Sequence, residues 1–151
     1  MIKAMRNSVL LLLLFVVSCA AVGEREVLHE RFKEYARLVA AKEYDAIVES
    51  SISADNRTEF RKGTGSFGEQ FPVLAALPET LSKRMGQHER IINGKKGCLT
   101  INGLDESGGP TSLHIEYVRE EGSWRLNYAE IAYLESEKEF SRTGKCPVKP
   151  E

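Results

Sequence analysis

The feature that most limits how this chain can fold is a change of hydrophobic period near residue 88. Before that point apolar residues recur every three or four positions, and after it they alternate. Leu28, Phe32, Tyr35 and Val39 form one helical stripe, with Arg31, Lys33, Glu34 and Arg37 mostly off it. Downstream, Leu99 and Ile101 alternate with Thr100 and Asn102, and Leu113, Ile115 and Tyr117 share one face of a second strand. A chain whose first half makes amphipathic helices and whose second half makes half-buried strands is confined to an α+β fold. Its helices must pack on one face of an antiparallel sheet.

Within the helical half, the spacing predicts a first helix over 24–41, a break at Lys42-Glu43, and a short second helix ending near Glu49. Ser53 as N-cap and Gly63 near the C-terminus bound a third, polar helix. Pro78 in a first turn, Glu79 beside it, Lys83 and Arg84 late and Gly86 beyond them predict a further short helix. In the strand half, Asn93-Gly94, the stretch DESGGP and Glu120-Glu121-Gly122 are hairpin turns. Trp124, Leu126 and Tyr128 are in phase, and then the apolar positions slip to Ile131 and Tyr133. A slip of one residue inside a long strand predicts a β-bulge. By the same alternation His114 and Glu116 face away from the apolar side and are expected in solvent, while the facing of Glu130 stays open.

The N-terminus carries an address. Lys3 and Arg6 precede an apolar run from Val9 to Val17, small residues follow, and no acid occurs before Glu24. This is the order of a secretory signal, and the run falls short of the ~20 apolar residues of a spanning helix. Cleavage after Ser18-Cys19-Ala20 would discard Cys19. Alternatively Val16-Val17-Ser18-Cys19 resembles the lipobox of bacterial lipoproteins. That resemblance implies a signal peptide over 1–18, lipidation of Cys19 and a permanent membrane tether, since several acyl chains hold stably where one does not. Ala20 stands where an inner-membrane retention signal would have Asp, so the expected location is the outer membrane facing the periplasm.

What remains is residues 19–151, one domain with its core at about 24–135 and a polar tail over 136–151. Losing 1–18 lowers the basic residues from 21 to 19 against 22 acids, a formal charge of −3. The charges are interspersed, with no basic stripe for nucleic acid. With Cys19 lipidated, Cys98 and Cys146 form an even pair in an oxidising compartment and are expected to be disulfide-bonded; two free buried thiols are the alternative. Cys98 on the face opposite Leu99 would pin the tail against the outside of the sheet.

FKEYARLVAAKEYDAIVESSIS, with its Tyr44-Asp45 pair, and GSWRLNYAEIAYL resemble the opening helices and a late strand of nuclear-transport-factor-like domains. That resemblance implies a cone in which a bent sheet wraps a long helix, often enclosing a pocket, and homodimers are common in the family. Tyr35, Tyr117, Trp124 and Tyr128 are the candidate pocket lining, with ordinary core packing as the alternative for each.

No catalytic constellation emerges. The stretch from Gly63 to Gly68 matches GxGxxG, but a polar helix precedes it where a dinucleotide site needs an apolar strand. His29-Glu30-Arg31 and His88-Glu89-Arg90 repeat a tripeptide without a second His four residues on, so no zinc motif results. No metal or cofactor is expected. The leading expectation is a non-catalytic, lipid-anchored envelope domain that binds a protein partner or a small apolar ligand. An isomerase or hydrolase using the cone cavity, and an inhibitor or immunity protein acting through its surface, are the alternatives.

Overall fold

In the computed structural model, which describes residues 27–150, the helices come first and the strands second, as the change of period requires. Five helices, α1 (Val27–Ala40), α2 (Tyr44–Ser50), α3 (Ala54–Lys62), α4 (Phe67–Gln70) and α5 (Pro72–Ala76), lead into one antiparallel sheet. Its strands β1 (Lys83–Ile92), β2 (Lys96–Leu104), β3 (Pro110–Glu120) and β4 (Ser123–Tyr133) lie in chain order. The signal peptide, Cys19 and the first residues expected in α1 fall outside the described residues. No helix among the described residues is long and apolar enough to cross a membrane.

The apolar stripe of α1 becomes the core. Leu28, Phe32 and Tyr35 pack with Leu99, Ile101, Leu113, Ile115 and Tyr117 from the inner sheet face. Gly97 lets α1 come close, because a Cβ there would meet the Leu28 methyls. Ser53 caps α3 by accepting from Asn56 N, and Gly63 closes it. Around α4 and α5, Tyr44, Phe60, Phe67 and Phe71 form a ring cluster with centroids 5.6–6.2 Å apart. Between Gly63 and Gly68, Ser66 and Glu69 form a capping box that starts α4, so this glycine-rich stretch opens a short helix.

Two expectations need correction. The helix expected from Pro78 to Arg84 is only a 3-10 turn, Leu77–Glu79, and β1 begins at Lys83. Its first residues are exposed, and a wet strand start carries no alternation to betray it. The bulge exists, but its extra residue is Asn127: Glu116 pairs with Tyr128 while Tyr117 pairs with Leu126. Tyr128 is therefore out of phase with Leu126 and lies on the outer face. A second bulge interrupts β1 between Arg84 and Gly86. Both hairpin turns expected at Asn93-Gly94 and Glu121-Gly122 use positive φ at both residues, the primed geometry that matches strand twist.

The outer face is covered by the tail. Cys98 and Cys146 lie at disulfide distance, with Cα atoms 4.8 Å apart. Gly144 lies so close to the sheet that a Cβ would meet the Cys98 carbonyl and the Arg90 amide. Asn102 donates to Ser141 O at 2.8 Å, Lys145 N donates to Thr100 Oγ1 at 2.9 Å, and Val148 N donates to Glu130 Oε2 at 3.1 Å. Replacing Cys98 and Cys146 together with serine should cost about 4 kcal/mol by the chain-entropy relation for a loop of this length. Urea unfolding measures that loss. Amide exchange should show Lys145 and Val148 losing protection while the β2–β3 amides keep theirs.

Candidate functional site

Two adjoining hollows carry the candidate chemistry. The first is a chamber of about 260 Å³ lined by Arg31, Tyr35, Ser51, Tyr117, Trp124 and Leu126, with Glu34 at its border. Three of the four expected pocket residues, Tyr35, Tyr117 and Trp124, therefore meet. Tyr128 does not join them: its ring lies 5.9 Å from Lys149 Nζ, and it borders a separate hollow with Phe71 and Val73.

The two tyrosines at the chamber differ. Tyr35 donates its hydroxyl to Leu74 O at 2.6 Å and is satisfied. Tyr117 is fully buried, yet its hydroxyl has no hydrogen-bond partner among the described residues. Burial raises the titration of both phenols well above the ordinary value, so both stay protonated as donors. A buried hydroxyl without a partner costs about 1–3 kcal/mol, and native interiors rarely leave one so. Glu34, the carboxylate beside the chamber, is tied to Arg37 by bonds of 2.9 and 3.1 Å, and that guanidinium holds it below its usual range. It is a solvated anion rather than a proton carrier near neutrality.

Beyond Arg31 and Trp124, which border both hollows, lies an open groove of about 920 Å³. Among the described residues, Arg31, Arg90, Arg119 and Arg142 line it, with His88 and one carboxylate, Glu89. The Arg119 guanidinium sits 5.8 Å from the Trp124 ring centre. The two His-Glu-Arg triplets meet here, for His29 N donates to Glu89 Oε1 at 2.6 Å. Sequence reasoning missed this cluster because its arginines are scattered from α1 to the tail.

His114 and Glu116 are placed against expectation. Both are 3% exposed, on the outer face beneath the tail. Alternation correctly put them opposite Leu113 and Ile115 but could not show that a polar strap would cover that face. Glu116 accepts from Asn127 at 2.7 Å and pairs with Lys149 at 2.8 Å and Lys96 at 3.2 Å. Burial works against its charge, and these donors outweigh it, holding the carboxyl below its ordinary range. Thr100 Oγ1 accepts from Lys145 N, so its single proton is free to donate to His114 Nδ1, 3.1 Å away. That arrangement requires neutral His114 with its proton on Nε2. Glu130 is half-buried at the same face and holds Val148 N. The described residues contain no group of three His, Cys, Asp or Glu side chains able to hold a metal. Compared with protein-family models and with curated proteins, the chain matches none.

Burial, and then Lys145, lower the His114 titration below 6.5, against a smaller opposing pull from Glu130. As pH falls below 6.5 the unfolded chain takes up a proton that the folded one refuses, so stability must drop through that range. Replacing His114 with Gln should flatten the drop in a series of urea midpoints, while any Glu116 contribution is lost only at lower pH. At the chamber, Tyr117→Phe should leave the unliganded protein as stable or about 1 kcal/mol more stable, since it removes an unpaired buried hydroxyl. Thermal unfolding reads this directly, and a clear destabilisation would mean the hydroxyl has a partner.

Proposed function

We propose that this chain is a lipid-anchored, non-catalytic binding domain of the bacterial envelope, of the nuclear-transport-factor-like type. Cys19 carries the lipid, the body faces the periplasm, and the chamber beside Tyr117 receives a small, largely apolar ligand. The observation that carries this reading is the unpartnered Tyr117 hydroxyl beside a chamber walled by Tyr35, Trp124 and Leu126. Such a site offers apolar contact with a phenol donor buried in its wall, the usual composition of a small-molecule pocket. The two bulges support the cone, because an extra residue bends the strand that contains it. The buried groups that could exchange protons lie on the opposite face, where His114 is bonded to Thr100 and Glu116 to Lys149 of the tail.

The test is an intact mass of the full-length protein expressed in a bacterial host and extracted from membranes, with and without reductant. A mass for residues 19–151 plus lipid, gaining two hydrogens on reduction, is expected. A lipid-free mass would remove the anchor, and a mass unchanged by reductant would remove the disulfide. Trp124 is the only tryptophan in the chain and borders the chamber, so its fluorescence reports occupancy. Tyr117→Phe should weaken the binding of an apolar probe that carries one hydrogen-bond acceptor by about tenfold, the worth of one buried hydrogen bond. Equal binding by both proteins would move the ligand elsewhere.

A further inference from the structure

The chain as a whole carries a formal charge of −1, yet among the described residues one groove is lined by four arginines and one carboxylate. Among the described residues none of these arginines makes a salt bridge, whereas Arg37, Arg57 and Arg61 each pair with a glutamate. All four are exposed, so their donors remain available. Unpaired guanidiniums gathered in one concavity repel each other unless an anion sits among them. Guanidinium is weakly hydrated and presents a planar fork that matches a phosphate or carboxylate oxygen pair, and four such forks suit a doubly charged head better than a single carboxylate.

Two apolar side chains, Val27 and Ile91, are 42% and 44% exposed in the same groove. Arg31 and Trp124 border both the groove and the aromatic chamber, so one ligand can reach from one hollow into the other. Val27 also lies only eight residues after Cys19, a span of at most about 28 Å of extended chain. A lipid at Cys19 would thus keep the groove close to a membrane surface.

The geometry points to a site for a phosphate-bearing amphiphile: the head is held in the groove by Arg31, Arg90, Arg119 and Arg142, and the apolar part enters the chamber beside Tyr117. This deepens the ligand-binding reading above and rests on it for the chamber alone; the head site stands on the arginines. The phosphate can come from a membrane lipid or from a soluble phosphorylated compound.

The experiment uses the full processed chain, in phosphatidylcholine nanodiscs if it carries lipid and in plain buffer if it does not, so that the state of the anchor does not decide the result. Trp124 fluorescence follows titrations with hexyl phosphate, hexanol and inorganic phosphate. Hexyl phosphate should bind saturably and at least tenfold more tightly than either half alone, with affinity falling as salt rises. The double variant R90Q/R142Q, both exposed and remote from the chamber walls, should lose about tenfold for hexyl phosphate and leave hexanol unchanged. Arg61→Gln, outside the groove, is the matched control and should change nothing. Hexyl phosphate binding no better than hexanol, or unmoved by R90Q/R142Q, would overturn the head site. Inorganic phosphate binding as tightly as hexyl phosphate would overturn the amphiphile and leave a soluble phosphate. Loss of hexanol binding with retained phosphate binding would sink the chamber reading while sparing the groove. A bound phosphatidylglycerol vesicle that is released by hexyl phosphate would identify the lipid headgroup as the source.

Discussion

Everything on the outer side of this sheet depends on Cys98, near the start of β2, holding Cys146. Cys98 is fully buried, flanked on the same face by Thr100, Asn102, Ser112, His114 and Glu116, all within 4% of complete burial. None of these polar groups could be withdrawn from water without partners, since an unmatched buried polar group is costly. The tail supplies three of them, through the Ser141 carbonyl to Asn102, the Lys145 amide to Thr100 and the Lys149 ammonium to Glu116, while Ser112 and His114 bond Asn102 and Thr100 within the sheet. The disulfide fixes where the strap lies, and the hydrogen bonds fix its register. Remove the strap and the central strands become one-sided again.

This arrangement explains what could and could not be read from the sequence. Period, caps and turns are local, and they were legible: the α1 stripe, the Ser53 cap, the Asn93-Gly94 and Glu121-Gly122 turns and the existence of a bulge in β4 all follow from neighbours a few residues apart. The position of the bulge was not, because Leu126 and Tyr128 are both apolar enough to sit in phase, and only pairing with Tyr117 places the extra residue at Asn127. The burial of His114 and Glu116 is hidden for a related reason. A polar face looks the same in sequence whether water or a polar strap covers it.

The candidate site divides in the same way. Tyr35, Tyr117 and Trp124 could be nominated from strand and helix phase, since residues on the inner faces must converge. The arginine groove could not, because Arg31 lies on α1, Arg90 on β1, Arg119 at the end of β3 and Arg142 in the tail. Only the folded topology, with both hairpin ends on one side and the tail returning across β2, makes neighbours of them. The chamber thus lies on the inner face, and the groove beside it runs round the β1 edge, with Arg31 and Arg119 on the inner side and Arg90 and Arg142 on the side of Cys98 and the tail.

The chemistry of the strapped face also bears on the order in which the molecule is made. Synthesis runs from the N-terminus, so the sheet can pair while the residues that will cover it are still to come, and there is an interval when one side of β2 and β3 lies bare. Partly folded chains that expose apolar strands during such an interval aggregate. Here the bare side would be threonine, asparagine, serine, histidine and glutamate, which water solvates well. A nascent chain of this design can wait for its last residues without risk of sticking to its neighbours, and the closing of the fold becomes a late, oxidative step.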